Sequence, residues 1–201
     1  MKKVPAGFYD KDYFENGVKT EKSGYGGYHW NDGIAVLAQA LVTNLPHKTA
    51  LDLGCAKGYV VKALRDLGIE AFGIDISTYA IDQAPAEVKP FLHKGSAAVK
   101  LKMFEENRFD LVICYDILEH LDDDTLVKTM TGISRVCSKW VTVKLPFEVY
   151  DWDLDKSHIN IKPKEAWIKM FGEYGFENYE LPVPKAPWSF WDNRTLVFRR
   201  V

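Results

Sequence analysis

The stretch that decides the fold is Thr49-Ala50-Leu51-Asp52-Leu53-Gly54-Cys55-Ala56-Lys57-Gly58. Its first five residues form a short, mostly apolar run, which predicts a buried β-strand that closes on Gly54. Gly54 and Gly58 then allow the backbone to approach a ligand without a Cβ in the way. The helix that follows them offers N–H groups without a partner inside the helix. This part of the chain therefore predicts a strand, a ligand-binding turn and a helix.

Strand and helix patterns alternate along the rest of the chain. The apolar spacing predicts helices over residues 34–45, 59–67, 78–84, from 122–124 to 136, and 163–174. It predicts strands over residues 49–53, 71–75, 91–93, 109–115, 140–145, 178–181 and 195–199. This alternation predicts an α/β three-layer sandwich with a seven-stranded, mostly parallel sheet and an antiparallel C-terminal strand. Ligands of such sheets bind beyond the carboxyl ends of the strands.

The length of 201 residues fits one domain. We predict residues 34–201 to be a Rossmann-like core and residues 1–33 an irregular cap or lid, because Gly24, Gly26 and Gly27 disfavour a regular helix. Aromatic residues crowd this cap and a loop near the end of the sequence. These residues predict a ligand pocket with aromatic walls. Packing of the cap onto the sheet is an alternative explanation, and both can be true. The pocket residues are Tyr9, Tyr13, Tyr25, Tyr28, Trp188, Phe190 and Trp191.

Composition argues against several classes of protein. Lys and Arg number 26 against 28 Asp and Glu, a net charge of -2, so the strongly basic character of a duplex-DNA-binding protein is missing. No apolar run approaches the roughly 20 residues that span a bilayer. Residues 1–5 precede no apolar segment of a secretory signal. Three cysteines in apolar surroundings favour reduced thiols, and we expect a cytoplasmic protein.

The residues after the first two strands indicate a nucleoside ligand with a cationic end. Asp75 ends the second strand, where a carboxylate can accept both hydroxyls of a ribose. A dinucleotide fingerprint would need a third glycine at the position of Tyr59, whose ring would block a pyrophosphate. Asp52 also repels phosphates and favours a cation. S-adenosylmethionine has the ribose, the ammonium and the sulfonium that these residues favour.

Three motifs in this order resemble class I S-adenosylmethionine-dependent methyltransferases: Asp52 to Gly58, Gly73-Ile74-Asp75, and Phe109 to Leu121. The resemblance runs from about Thr49 to Phe198. It implies S-adenosylmethionine as cofactor, S-adenosylhomocysteine as its product, and a Rossmann-like fold. Ser96 stands where the family usually has a carboxylate for the adenine amino group. The implied cofactor-binding residues are Asp52, Gly54, Cys55, Ala56, Gly58, Asp75, Ile76, Ser96, Ala97, Tyr115 and Asp116.

Two histidines are the candidate catalytic residues. His120 follows the fourth strand, and a histidine of ordinary pKa suits a general base at neutral pH. In small-molecule members of the family, a histidine here often contacts the acceptor. His158 precedes the helix that starts near Pro163, close to the expected acceptor mouth. We therefore predict O- or N-methylation of a small-molecule or sugar-like acceptor. A capping role for His120 and a surface position for His158 are the structural alternatives.

Two rival functions stay open. One is a protein that binds S-adenosylmethionine without turnover. The other is a metal-dependent RNA 3′-end 2′-O-methyltransferase, because Asp116, Glu119, His120 and His158 resemble the ligand set of that family. Asp116 is shorter than the expected Glu, and the spacing from His120 to His158 looks short for that family. We therefore predict no catalytic metal. A local basic track of Lys94, Lys100 and Lys102 could still serve RNA.

Overall fold

A computed structural model describes residues 3–149, 154–181 and 193–201 of the chain. Its seven strands form one sheet in the order β3-β2-β1-β4-β5-β7-β6. The strands are β1 Thr49–Leu53, β2 Glu70–Asp75, β3 Leu92–Lys94, β4 Phe109–Tyr115, β5 Cys137–Lys144, β6 Phe176–Asn178 and β7 Thr195–Arg200. Strands β1 to β5 pair in parallel, while β7 lies antiparallel between β5 and β6. The predicted sheet with its antiparallel C-terminal strand is confirmed.

Eight α-helices accompany the strands in the described ranges. They are α1 Lys11–Glu15, α2 Gly17–Thr20, α3 Asp32–Asn44, α4 Tyr59–Asp66, α5 Thr78–Asp82, α6 Ala97–Lys100, α7 Asp123–Val136 and α8 Lys164–Glu173. Asp122 caps α7 by accepting the backbone N–H of Thr125, as its position before an apolar-periodic segment predicts. None of these helices has the length and apolar character to cross a membrane.

Two apolar cores cover the two faces of the sheet, which makes the architecture three-layered. One core joins α3, α4 and α5 to the sheet, and its fully buried members include Leu41 and Leu64. The other joins α6, α7 and α8, and it includes Trp167 and Phe171. Because both faces are covered, the central strands are almost continuously buried, as strands of a parallel sheet should be.

The prediction of an irregular cap was wrong in part. Residues 11–20 form the short helices α1 and α2, and the side chain of Asp10 caps α1 by accepting the N–H of Tyr13. The glycine-rich stretch 24–28 contains no helix, as predicted. Tyr13 and Phe14 are buried against Ala56 and Ala80, so the cap residues pack on the core as the alternative proposed. Tertiary packing thus stabilises helices that are too short to persist alone.

Two strands begin clearly earlier than predicted, and one helix was not predicted. The sixth strand is Phe176–Asn178 instead of 178–181, and β5 begins at Cys137 instead of 140. The single turn of α6 was not predicted, since four residues are too few for a helical period to be visible in the sequence.

Candidate functional site

The structure places one cavity of about 400 Å³ at the carboxyl ends of β1, β2 and β4, roofed by residues of the cap. This is the size range of small-molecule sites, roughly 300–1,000 Å³. Four of the predicted cap tyrosines line it: Tyr9, Tyr13, Tyr25 and Tyr28. The predicted Trp188, Phe190 and Trp191 lie outside the described residues.

The turn after β1 is held open by Asp75. One oxygen of this carboxylate accepts the backbone N–H of Ala56 at 2.8 Å, and the other accepts that of Ser77 at 2.7 Å. Ala56 has a φ of 48°, in the left-handed region where the middle glycine of such turns would be unstrained. A carboxylate has about four acceptor positions, so two remain for a ligand in the cavity that Asp75 lines.

Asp52 is a second buried carboxyl group that lines the same cavity. Its side chain is 5% exposed, and no hydrogen bond from the described residues reaches it. Burial raises the pKa of Asp52 to about 8, and the charge of Asp75 adds to the rise. Burial also raises the pKa of Asp75, against the effect of its two backbone hydrogen bonds. A cation in the cavity would relieve this arrangement by stabilising the ionised form of Asp52.

Most of the other predicted cofactor-binding residues line the same cavity. Asp116 follows β4 with a φ of 49°, and its N–H is bonded to the carbonyl of Lys144. The rest are Gly54, Cys55, Ile76, Ser96, Ala97 and Tyr115. Ser96 and Ala97 stand at the amino end of α6, which follows β3.

Gly58 is the predicted cofactor residue that the structure does not place among the lining residues. It has a φ of 73° at the start of α4, and a Cβ there would lie 2.7 Å from the Leu92 side chain. Gly54 lines the cavity, but a Cβ on it would meet Ile117 at 3.2 Å. Both glycines are thus required by backbone conformation and internal packing. Gly54 does line the cavity, so its predicted role of leaving room for a ligand stays a prediction beside this internal requirement.

A partly buried ion pair joins the cap to the turn after β1. The ammonium of Lys57, 4% exposed, bonds to the Glu15 carboxylate and donates to the carbonyl of Tyr28 at 2.8 Å. The Tyr79 hydroxyl donates to the same Glu15 oxygen at 3.0 Å. Bonding to Lys57 lowers the pKa of Glu15. The turn that holds several predicted cofactor-binding residues is therefore also bonded to the cap.

His120 lines the cavity from a short 3₁₀ turn after β4. Its Nδ1 lies 2.8 Å from the hydroxyl oxygen of Ser157. The Ser157 hydroxyl is bonded to Asp155, whose other oxygen accepts the Tyr13 hydroxyl at 2.6 Å. The ring of Tyr9 meets His120 edge-on at 6.0 Å. His120 is thus enclosed by the cap on one side and by the segment 154–162 on another.

His158 stands beside His120, with the ring centres 4.7 Å apart, but it is not among the cavity-lining residues. The carbonyl of Glu119 accepts the N–H groups of Ile159 and Asn160, and this places the His158 segment against the turn after β4. His158 therefore lies next to the candidate base but outside the cavity lining, and not at the mouth of the cavity as predicted.

Glu119 completes a cluster with the two histidines. One ligand atom from each of Glu119, His120 and His158 lies within 4.8 Å of the others, and Asp116 is not part of the group. Glu119 is fully buried, and neither of its carboxyl oxygens has a hydrogen-bond partner among the described residues. Burial, followed by the charge of Asp116, raises the pKa of Glu119 well above its usual range. The spacing from His120 to His158, short in sequence, still brings the residues together.

Four residues of the site were not predicted from the sequence: Glu15, Lys57, Asp155 and Ser157. Lys57 lay inside the quoted turn, yet nothing local showed that its amine would meet Glu15. Asp155 and Ser157 flank His158 in the Asp-Lys-Ser-His stretch, and that proximity was the available signal. The contact of Ser157 with His120 spans 37 residues of sequence and depends on the fold.

Comparison with known proteins agrees with the fold and the turn motif. The profile of a family described as "Methyltransferase domain" matches residues 51–140. A ubiquinone biosynthesis O-methyltransferase of Methylococcus capsulatus is 30% identical over 153 residues, which cover 73% of this chain and 63% of that protein. A ubiquinone biosynthesis O-methyltransferase of Coxiella burnetii is 24% identical, with 72% and 62% covered. The chain thus spans less than two thirds of the length of these relatives.

Solved structures show the same fold at low sequence identity. Magnesium protoporphyrin IX methyltransferase (ChlM) from Synechocystis PCC 6803 with bound SAH has a TM-score of 0.66 at 16% identity, covering 96% of this chain and 97% of that one. The methyltransferase domain of bacterial CtHen1-CN has a TM-score of 0.60 at 21% identity, with 85% and 99% covered. The profile match thus shows that residues 51–140 belong to the methyltransferase-domain family, and the solved structures show that the chain has the fold of class I S-adenosylmethionine-dependent methyltransferases.

Proposed function

We propose that this chain transfers the methyl group of S-adenosylmethionine to a small-molecule or sugar-like acceptor, with His120 as the general base. The single observation that carries the proposal is the cavity itself. It runs from the Asp75 turn, past Asp52, to His120 under a roof of cap tyrosines. One enclosed space thus holds a nucleoside-type site and a candidate base.

The residues present fit the cofactor. Asp75 keeps two acceptor positions for ribose hydroxyls after its bonds to Ala56 and Ser77. Asp52 is a buried carboxyl group that a cationic ligand end would stabilise in its ionised form. Ser96 and Ala97 line the wall at the end of β3, where the adenine would lie. No carboxylate of β3 is available there, so Ser96 is the polar side chain that this wall offers.

His120 supplies the proton acceptor at the other end. When bound, S-adenosylmethionine supplies a methyl group that leaves sulfur as the acceptor oxygen bonds to it, with the carbon–sulfur electron pair remaining on sulfur. His120 takes the proton of the acceptor hydroxyl at its ring nitrogen. His158 packs against His120 with its ring tilted and so helps to position the base from outside the cavity lining. Tyr9 and Tyr13 exclude water from the cavity.

An oxygen acceptor is favoured by the relatives, since the similar curated proteins are named as O-methyltransferases. The aromatic roof favours a flat or ring-shaped acceptor, because rings pack on aromatic faces at little entropic cost. An amine acceptor is the variant that the same base would also serve.

A metal-dependent RNA methyltransferase is the second candidate, and the cluster of Glu119, His120 and His158 is the observation that favours it. Asp116 is close enough for its charge to act on Glu119, but it is not one of the residues whose ligand atoms lie within 4.8 Å of one another, so the four-residue set is incomplete among the described residues. We retain the metal-free proposal. A non-catalytic binding protein is the third candidate, and the presence of a candidate base in the cavity speaks against it.

The proposal is tested by incubating the protein with S-adenosylmethionine and a panel of phenols, catechols, sugars and amines while measuring release of S-adenosylhomocysteine. We expect turnover with at least one ring-containing hydroxyl compound, and its loss in His120→Gln. Saturable cofactor binding without turnover across the panel would favour the binding protein. Turnover only with RNA 3′ ends would favour the second candidate.

A further inference from the structure

A short chain of hydrogen bonds fixes the orientation of His120 from behind. Nδ1 of His120 lies 2.8 Å from the Ser157 oxygen, and the Ser157 hydroxyl is bonded to Asp155. The backbone N–H of Ser157 also donates to the same Asp155 oxygen at 2.8 Å. Ser157 is fully buried and His120 nearly so. Solvent therefore competes little with these contacts.

The direction of the protons follows from the chemistry of the three groups. An ionised carboxylate accepts hydrogen bonds and cannot donate one, so the Ser157 hydroxyl donates to Asp155. A hydroxyl has a single hydrogen, and its oxygen can then only accept from His120. Nδ1 of His120 must therefore be the protonated nitrogen of the neutral ring. The other ring nitrogen, Nε2, is left as the basic one.

The cap takes part in the same arrangement. The Tyr13 hydroxyl donates to the second oxygen of Asp155 at 2.6 Å, which holds the carboxylate in place from the cap side. Burial, followed by the charge of Asp155 and the bond to it, raises the pKa of Tyr13, which therefore stays a donor. The orientation of Asp155 thus depends on the cap being docked.

We propose that Ser157 and Asp155 are positioning residues that hold His120 in the Nδ1-protonated tautomer, and that Tyr13 of the cap completes this arrangement. The inference deepens the proposed function, since it assigns Nε2 of His120 as the nitrogen that takes the acceptor's proton. A role of Ser157 in packing alone is the competing explanation, because the residue is buried.

The tautomer can be read directly by NMR of protein labelled with ¹⁵N at histidine, without any turnover. The five histidines are assigned by comparison with His120→Gln and with the other single variants. In the wild type at pH 8, we expect the His120 signals of a neutral ring protonated at Nδ1. We expect Ser157→Ala to abolish that preference, and Ser157→Thr, which keeps the hydroxyl, to retain it. A wild-type His120 protonated at Nε2 would overturn the inference even if Ser157→Ala failed to fold.

Kinetics supply the second readout, on the acceptor that the screen identifies. We expect Ser157→Ala to lower kcat by at least about tenfold with little change in KM for the cofactor, and Ser157→Thr to recover most of the rate. Equal activity of the Ala and wild-type proteins would contradict a positioning role. If no acceptor is ever turned over, the proposed function fails while the NMR result still decides the tautomer, so the two failures are distinguishable.

Discussion

Asp75, at the end of β2, accepts the backbone N–H of Ala56, in the turn after β1, at 2.8 Å. The carboxylate that should bind the ribose thus also holds the turn that lines the cofactor cavity. Ala56 adopts a left-handed conformation with a φ of 48°, and this bond helps to offset the strain. The geometry of the turn and, in the proposed function, the binding of the cofactor therefore depend on one side chain.

Removal of this carboxylate should weaken cofactor binding strongly. Asp75→Ala loses two hydrogen bonds to ribose hydroxyls, each worth about 1.5–3 kcal/mol when the acceptor is charged, so we expect affinity to fall by about a hundredfold or more. Titration calorimetry with S-adenosylhomocysteine measures it. Asp66→Ala, which removes an exposed carboxylate paired with Lys62, should leave the affinity unchanged. An unaltered dissociation constant for Asp75→Ala would place the ribose elsewhere.

The stability of the ligand-free protein should decrease with rising pH because of Asp52. The folded-state pKa of about 8 exceeds the ordinary value of about 3.9. At a pH between these two pKa values, the folded chain keeps a proton on Asp52 that the unfolded chain has released. The contribution of Asp52 to stability is therefore greatest below the unfolded-state pKa and is lost as the pH rises toward the folded-state pKa. The loss has a slope of up to about 1.4 kcal/mol per pH unit.

Asp52→Asn isolates this contribution from that of Glu119, which remains in both proteins. We measure the free energy of unfolding of both proteins in urea. We expect the value for the variant minus the value for the wild type to increase as the pH rises from 5 to 7. A difference between the two proteins that does not change with pH would show that Asp52 is already ionised in the folded state.

The Lys57–Glu15 pair should control docking of the cap. Glu15→Gln weakens a partly buried, charge-assisted contact. We expect faster hydrogen exchange across residues 11–28 and several-fold weaker cofactor binding, with little effect on β1 or β4. The matched control is Glu21→Gln, because Glu21 forms an exposed pair with Lys156. Equal exchange in both variants would mean that aromatic packing alone holds the cap.

Chelation should not affect the reaction. We expect full activity after dialysis against EDTA, because His120, held by Ser157 at Nδ1, removes the proton of the acceptor without a metal ion. Glu119→Gln preserves the size of the buried side chain and should retain folding and most of the activity. Loss of activity on chelation, restored by manganese or magnesium, would identify Glu119, His120 and His158 as a metal site and make RNA ends the first substrate to test.

The sequence was sufficient for the central part of the fold. β1 and β4 occupy the predicted residues, because apolar runs of five to seven residues bounded by turn signals leave little choice of boundary. The turn after β1 and Asp75 could be assigned to the site for the same reason: each follows directly from a predicted strand. The profile match over residues 51–140 covers this same part of the chain.

The rest depends on tertiary contacts that local patterns do not contain. The helices α1 and α2 are four or five residues long and are fixed by burial of Tyr13 and Phe14. Pairing with β7 determines where β6 lies, and that pairing is not visible in the residues of β6 themselves. The bonds from Ser157 to His120 and from Lys57 to Glu15 join residues 37 and 42 positions apart, so only the folded chain shows them.

The central claim is that the cavity under the cap is an S-adenosylmethionine site, and equilibrium dialysis with radiolabelled S-adenosylmethionine tests it most directly. We predict saturable binding of one molecule per chain by the wild type, competed by S-adenosylhomocysteine and lost in Asp75→Ala but not in Asp66→Ala. Absence of binding by the folded wild-type protein at millimolar S-adenosylmethionine would contradict the claim.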